Sequence, residues 1–197
     1  MTSTLHLSLP DWISQYESNT TLASDEDAMR LVIELSEQNV KEKTGGPFGS
    51  LVYDHESGEV CSLSVNRVLE TNCSAAHAEV LALLLAQQKL GTHDLSLTQY
   101  SSLTLVTSSA PCIQCFGALW WSGINRLVYG ATTDDVEQIT GFQEGPKEHD
   151  WLATLPSRSP LPPIEIIPEI LRDEATQVLK DYVESGGLIY NPGSSPE

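Results

Sequence analysis

Two short segments constrain this chain more than anything else in it. They are His77-Ala78-Glu79 and, further on, Pro111-Cys112-Ile113-Gln114-Cys115. Zinc is held by imidazole nitrogen and thiolate sulfur, and a catalytic zinc keeps one of its four positions open for water. His77, Cys112 and Cys115 make a three-ligand set of that kind, so one Zn2+ per chain is expected. The fold must then bring the two segments together. Glu79 is not needed as a ligand and is left to move protons. Two plainer readings stand beside this one. A Cys-x-x-Cys pair on its own can be a redox motif, and Cys73, four residues before His77, can close a structural four-ligand site. Cys61 lies in a strand pattern and reads as a small core residue.

The rest of the composition narrows the class. A chain of 197 residues suits one compact domain. Its 27 acidic and 10 basic residues give a net charge of −17, which repels a phosphate backbone, and no Lys/Arg cluster is visible. A nucleic-acid partner is therefore not expected. Met1 to Trp12 has neither a basic start nor an apolar run, so it does not read as a signal peptide. The longest apolar run, Val80 to Ala86, is too short to span a bilayer. No membrane partner and a cytoplasmic location follow as expectations. Cysteines so spaced in a cytosolic chain favour metal or redox chemistry over disulfides.

Residues 1–24 read as an N-terminal arm, 25–190 as the functional domain and 191–197 as a flexible tail. Ser24 is placed to cap a helix carrying an apolar stripe to about Lys43. Gly45-Gly46-Pro47 breaks it. Strands are expected over 48–53 and 59–65, joined by a turn, followed by a loop over 67–74. A helix over 75–90 is expected to bury Val80, Leu81, Leu83, Leu84 and Leu85. Then come a strand at 103–107, a helix at 112–121 begun after Pro111, a strand at 127–131 and a short helix capped by Thr133-Asp134-Asp135. A loop with one turn is expected over 140–161. Strand 164–167 and helix 168–185 complete an α/β alternation, which argues for a sheet with helices on both faces. His77 and Cys112 fall in the first turns of two helices, where the dipole favours thiolates.

His-x-Glu followed by Pro-Cys-x-x-Cys is the pattern of zinc deaminases acting on nucleobases. In that chemistry a zinc-activated hydroxide attacks an amidine-like carbon. Glu79 carries its proton to the ring nitrogen and then to the leaving amine.

The chain resembles the cytidine deaminase-like superfamily, and within it the bacterial guanine deaminases. The likeness runs from about Ala28 to Tyr190. It rests on Gly45-Gly46-Pro47-Phe48-Gly49, Asn66-Arg67-Val68, Ala76 to Ala82, Thr107-Ser108 with Pro111 to Cys115, and Trp121-Ser122-Gly123-Ile124. The resemblance implies a three-layer α/β/α sandwich around a mixed five-stranded sheet, and a homodimer. It also implies site roles. Asn66 would bind a ring carbonyl or N7 of a purine, and Phe48 would form a wall under the base. The backbone N–H of Ala78 would meet the substrate's polar edge. Glu144, in Gly141 to Pro146, would be a second carboxylate that binds and protonates guanine, and Phe142 would help cover the base. The implied activity is deamination of guanine to xanthine, in purine metabolism. Cytosine and aminotriazines remain alternative substrates. Classical cytidine deaminases carry Cys where this chain has His77, and tRNA adenosine deaminases need a basic surface. A non-catalytic zinc-stabilised interaction domain is the reading from another class. The resemblance leaves open whether Tyr190 reaches a site.

Overall fold

The two central strands beside the sheet's antiparallel junction are buried on both faces, while the edge strand at the far side is only partly covered. The structure, a computed structural model, describes residues 6–16, 21–147 and 150–193. Five strands pair in the order β2-β1-β3-β4-β5. They are β1 (Gly49–Asp54), β2 (Val60–Val65), β3 (Leu103–Ser109), β4 (Arg126–Ala131) and β5 (Glu165–Ile167). Strand β1 runs antiparallel to both β2 and β3, while β3, β4 and β5 are mutually parallel. The sheet is thus mixed, as expected. Every residue of β1 and of β3 is buried. Alternation decides which side each serves: Leu51, Tyr53, Val106 and Val128 enter one core, and Val52, Leu105 and Leu127 the other.

The first core lies under helices α1 (Asp25–Lys41), α5 (Thr133–Thr140) and α6 (Arg172–Glu184), and the second under α3 (Ala78–Leu90) and α4 (Ile113–Ser122). A single turn, α2 (Val68–Thr71), completes the helices. The result is the three-layer α/β/α sandwich. Helix α1 is capped by Ser24, whose side chain accepts from the Asp27 N–H at 3.1 Å. It seats directly on β1, because a Cβ on Gly49 would come within 2.3 Å of the Val32 carbonyl oxygen. Of the arm, Ile13 is buried in the first core, with Trp12 and Tyr16 packed against it. The parts of the arm and tail at 1–5, 17–20 and 194–197 lie outside the described residues. No helix among the described residues is long and apolar enough to cross a membrane.

Several boundaries differ from expectation. The segment 67–74 holds α2, which Asn72 ends in the left-handed conformation at φ 50°. Thr132, not Thr133, caps α5, through a reciprocal box with Asp135. Helix α6 begins at Arg172 rather than at 168, because Glu169 and Leu171 take left-handed conformations ahead of it. Leu84, expected to be buried, is 49% exposed; α3 is apolar on all sides, and only one of its faces meets the sheet.

The end of the sheet away from the zinc motifs is held by charge. Arg126 at the start of β4 donates two bonds of 2.7 Å to the Asp25 carboxylate at the start of α1, and Tyr53 Oη donates to the same group at 2.5 Å. The Arg126 contact holds the Asp25 carboxyl below the usual carboxylate range despite partial burial. A lowered acid stabilises the fold fully above its unfolded value, near 4, and loses that contribution as pH falls through the folded value. Asp25→Asn is expected to cost about 2 kcal/mol of unfolding free energy at pH 7, leaving Arg126 short of its partner. The variant's deficit should shrink below about pH 4. Urea unfolding at both pH values measures it.

Candidate active site

The site is made where two helices begin side by side. His77 is the N-cap of α3 and Cys112 the N-cap of α4, both in extended backbone, with Cys115 in the first turn of α4. This moves His77 and Cys112 one step out of the first turns expected of them. A cap residue has left the helical path, so its side chain is free to turn toward the neighbouring helix start. Strand β2 fixes the position of α3, since Ser64 Oγ donates to the Ala78 carbonyl and Ser62 Oγ to the Ala82 carbonyl at 2.7 Å. The start of α4 follows directly from the end of β3.

The three donor atoms converge. His77 Nδ1 lies 3.5 Å from Cys112 Sγ and 3.4 Å from Cys115 Sγ, and all three lie within 4.8 Å of one another. Bonds of about 2.0 Å to nitrogen and 2.3 Å to sulfur, at a tetrahedral angle, separate those ligands by about 3.6 Å. The spacing therefore fits a shared zinc ion, and one nitrogen with two sulfurs is a zinc donor set. Cys73 is not part of the cluster, so the four-ligand structural alternative gains no support.

The protonation of the trio points the same way. A hydrogen bond from Cys115 draws the Cys112 thiol down to about 4, against the effect of burial. Burial, with the neighbouring Cys112 and Glu79, pushes Cys115 well above its ordinary value. Burial alone would lower His77, but its contact with Cys112 overrides that and raises it. The two thiols are thus pushed in opposite directions, and a bound cation would favour the thiolate form of both.

Two carboxylic acids face this cluster. Glu79, in the first turn of α3, is 6% exposed; burial pushes its carboxyl up to about 7, with the Cys112 charge adding to the rise. Glu144 is 9% exposed, and burial pushes it up to about 8, with the charges of Cys112 and Glu79 adding. Its own backbone carbonyl accepts from the Ile113 N–H at 2.9 Å, which pins its loop to the start of α4. The loop is gripped from two further sides. Glu137 Oε1 accepts the Glu144 N–H at 3.3 Å, while Asn191 accepts from the Gln143 N–H at 3.0 Å and donates to the Gly141 carbonyl at 2.9 Å.

The aromatic and amide groups form an adjoining wall. The rings of Phe48 and Phe142 are 5.7 Å apart, and those of Phe142 and Tyr190 are 4.9 Å apart, edge to face. Tyr190 Oη donates to Asn66 Oδ1 at 3.0 Å, so the tail tyrosine reaches its own chain's site. Asn66 Oδ1 also accepts from the N–H groups of Gly46 and Val68 at 3.4 and 3.3 Å. With its oxygen so occupied, Asn66 presents Nδ2 as a donor. Ala78 opens α3, where backbone N–H groups have no partner within the helix. All nine residues singled out in the sequence lie in or against this region. Asn39, Glu137 and Asn191 are additional. For Asn39 the signal was a polar residue in phase with the buried stripe of α1; for the other two there was none.

The chain has clear relatives. The model of the cytidine and deoxycytidylate deaminase zinc-binding region matches residues 22–131. The solved structure of guanine deaminase from Nitrosomonas europaea is 43% identical, with a TM-score of 0.84, covering 92% of this chain and 97% of that one. Guanine deaminase from Bacillus subtilis is 30% identical over 119 residues, 60% of this chain and 71% of the relative. A probable cytosine deaminase of Schizosaccharomyces pombe is 30% identical over 175 residues, 86% of this chain and 99% of the relative. The matched region holds the whole His77, Cys112 and Cys115 cluster together with Glu79, and the chain belongs to the cytidine and deoxycytidylate deaminase family of zinc-dependent deaminases.

Proposed function

We propose that this protein hydrolyses guanine to xanthine and ammonia. One observation carries the choice of base: a second buried carboxylic acid, Glu144, stands against the zinc-ligand trio beside the Phe48–Phe142–Tyr190 cluster. The likeness to the guanine deaminases of Nitrosomonas europaea and Bacillus subtilis supports it. His77, Cys112 and Cys115 would hold a zinc ion, which when bound would lower the pKa of water to about 7 and so supply the nucleophile.

The chain's own groups do the rest. Glu79 takes a proton from the attacking water and delivers it to the ring nitrogen beside the reacting carbon. It then moves the remaining proton of the added hydroxyl to the exocyclic amine; the C–N bond breaks, ammonia leaves and the hydroxyl oxygen becomes the product carbonyl. A carboxyl raised to about 7 suits both halves of that exchange. Asn66 Nδ2 donates to a ring carbonyl or N7. The Ala78 N–H meets the polar edge of the base. Phe48 lies under the ring and Phe142 covers it. Glu144, raised to about 8, is protonated at neutral pH and donates to guanine as the ring accepts charge. Closure of the site by aromatic groups keeps bulk water from the proton exchanges.

The Schizosaccharomyces pombe relative keeps cytosine as the second reading. Ammonia release from a panel of guanine, cytosine, adenine and aminotriazines decides between them. Turnover of cytosine without guanine would move the substrate and leave the chemistry standing. Glu79→Gln should retain one zinc per chain by elemental analysis and lose about 10²–10⁴-fold in kcat. Glu144→Gln should lower guanine kcat/KM by about 100-fold with zinc content unchanged. A wild-type rate in that variant would return Glu144 to the role of a buried loop acid. Removing the metal with a chelator should abolish turnover and lower the melting temperature, and His77→Ala or Cys115→Ser should bind less than one zinc per chain.

The protein is proposed to work in the cytoplasm, in purine metabolism, as a homodimer. Helix α4 carries no charged residue in a chain of net charge −17, and it leaves Trp121 77% and Ile113 45% exposed. Two such acidic chains repel everywhere except across an uncharged apolar face. Trp121→Glu is expected to convert a dimer to monomer by light scattering.

A further inference from the structure

We infer that Asn39, on α1 and remote from the metal ligands, is a positioning residue for Asn66, and that Trp12 of the N-terminal arm belongs to the same hydrogen-bond chain. The inference rests on the proposed role of Asn66 in holding the base.

Asn39 is fully buried, and its amide is completely used. Its Nδ2 donates to the Asn66 carbonyl at 2.9 Å and to the Gly46 carbonyl at 2.8 Å. Its Oδ1 accepts from Thr44 Oγ1 at 2.8 Å, and Thr44 Oγ1 in turn accepts from Trp12 Nε1 at 3.0 Å. The order is directional. The indole N–H can only donate, so the Thr44 hydroxyl must pass its hydrogen on to Asn39 Oδ1. That fixes the amide with its nitrogen toward the two carbonyls. A flipped amide would set an oxygen against both.

The two anchored carbonyls belong to the substrate wall itself. The Asn66 N–H donates to the Phe48 carbonyl at 3.0 Å, and the Gly46 N–H meets Asn66 Oδ1. Asn39 therefore holds the backbone on both sides of the Asn66 side chain, and through it the strand end that carries Phe48. The fit requires a glycine at 45, where a Cβ would lie 1.9 Å from the Asn66 oxygen and 2.6 Å from Asn39 Nδ2. The arm adds a second hold. Arg67, next to Asn66, donates to the Thr44 carbonyl and, at 3.2 Å, to the Ser8 carbonyl. The side-chain hydrogen bonds of Asn39 go to Asn66, Gly46 and Thr44 and to none of the metal ligands, so it acts through the strand end.

A double-mutant cycle on the zinc-loaded full chain tests this. Asn66→Ala, Asn39→Ala and the double variant are compared for kcat and KM on guanine, with zinc content and melting temperature measured in each. Asn39→Ala should lower kcat/KM by about tenfold with zinc unchanged, and should add less than about twofold in the Asn66→Ala background. Losses that multiply in the double variant would overturn the inference and leave Asn66's own role intact. An Asn66→Ala enzyme with wild-type kinetics would instead overturn the reading beneath it. If Asn39→Ala does not fold, Thr44→Val decides the matter in the same cycle. It removes only the hydroxyl that orients the amide, and should lose several-fold in kcat/KM non-additively with Asn66→Ala. Thr44→Ser, which restores the hydroxyl, should recover the wild-type value. A Thr44→Val enzyme with wild-type kinetics would count against the relay.

Discussion

Everything at this site depends on the meeting of two helix N-termini, α3 and α4, at His77 and Cys112. The meeting is costly without a cation. It brings together an imidazole, two buried thiols and two buried carboxyls, and each raises or lowers the protonation of the others. Negative charge in so dry a region is tolerable only where something positive is held within bonding reach. Zinc meets that need, and the helix ends add their own partial positive charge. The sheet then serves as a frame for this contact. Strand β2 ties down α3 through Ser62 and Ser64, and β3 delivers α4.

The sequence makes the metal site legible because ligand type and spacing are local properties. Two cysteines three apart on a helix start share a face wherever that helix sits. The sheet is legible for a similar reason, since runs such as Leu51 to Tyr53 and Leu103 to Thr107 bury both faces. What escapes is set by single-residue conformation. The left-handed Leu171 delays α6, and the left-handed Asn72 closes a helical turn where a loop was expected. Asn tolerates that conformation, but Leu171 takes it against its own preference, packed on the first core. Leu84 fails differently, because an apolar helix gives no phase from which to tell the sheet side from the outside. The position of Tyr190 beside Asn66 is a contact across 124 positions of chain, and nothing in either segment announces it.

The groups proposed to perform the chemistry and those proposed to select the base sit on different kinds of structure. His77, Glu79, Cys112 and Cys115 are on helix starts fixed by the sheet. Phe142, Glu144 and Tyr190 are on a loop and a tail, held by side chains such as Glu137 and Asn191. Asn66 stands between the two, at the end of a strand and clamped by a buried amide. A rigid frame bearing loops that vary is the usual way one chemistry comes to serve several ligands. The relatives fit that division: the Bacillus subtilis guanine deaminase and the probable cytosine deaminase of Schizosaccharomyces pombe are each 30% identical to this chain. Charge sharpens it further. A net charge of −17 opposes the approach of phosphate-bearing polymers. Inside the site, burial drives both free carboxyls toward their neutral forms. An uncharged planar base is the ligand that neither the outer field nor the inner one opposes. With the roles proposed for Asn66 and Glu144, discrimination among such bases falls to the hydrogen-bond pattern at those two residues, where a missing partner leaves a buried polar group unpaired.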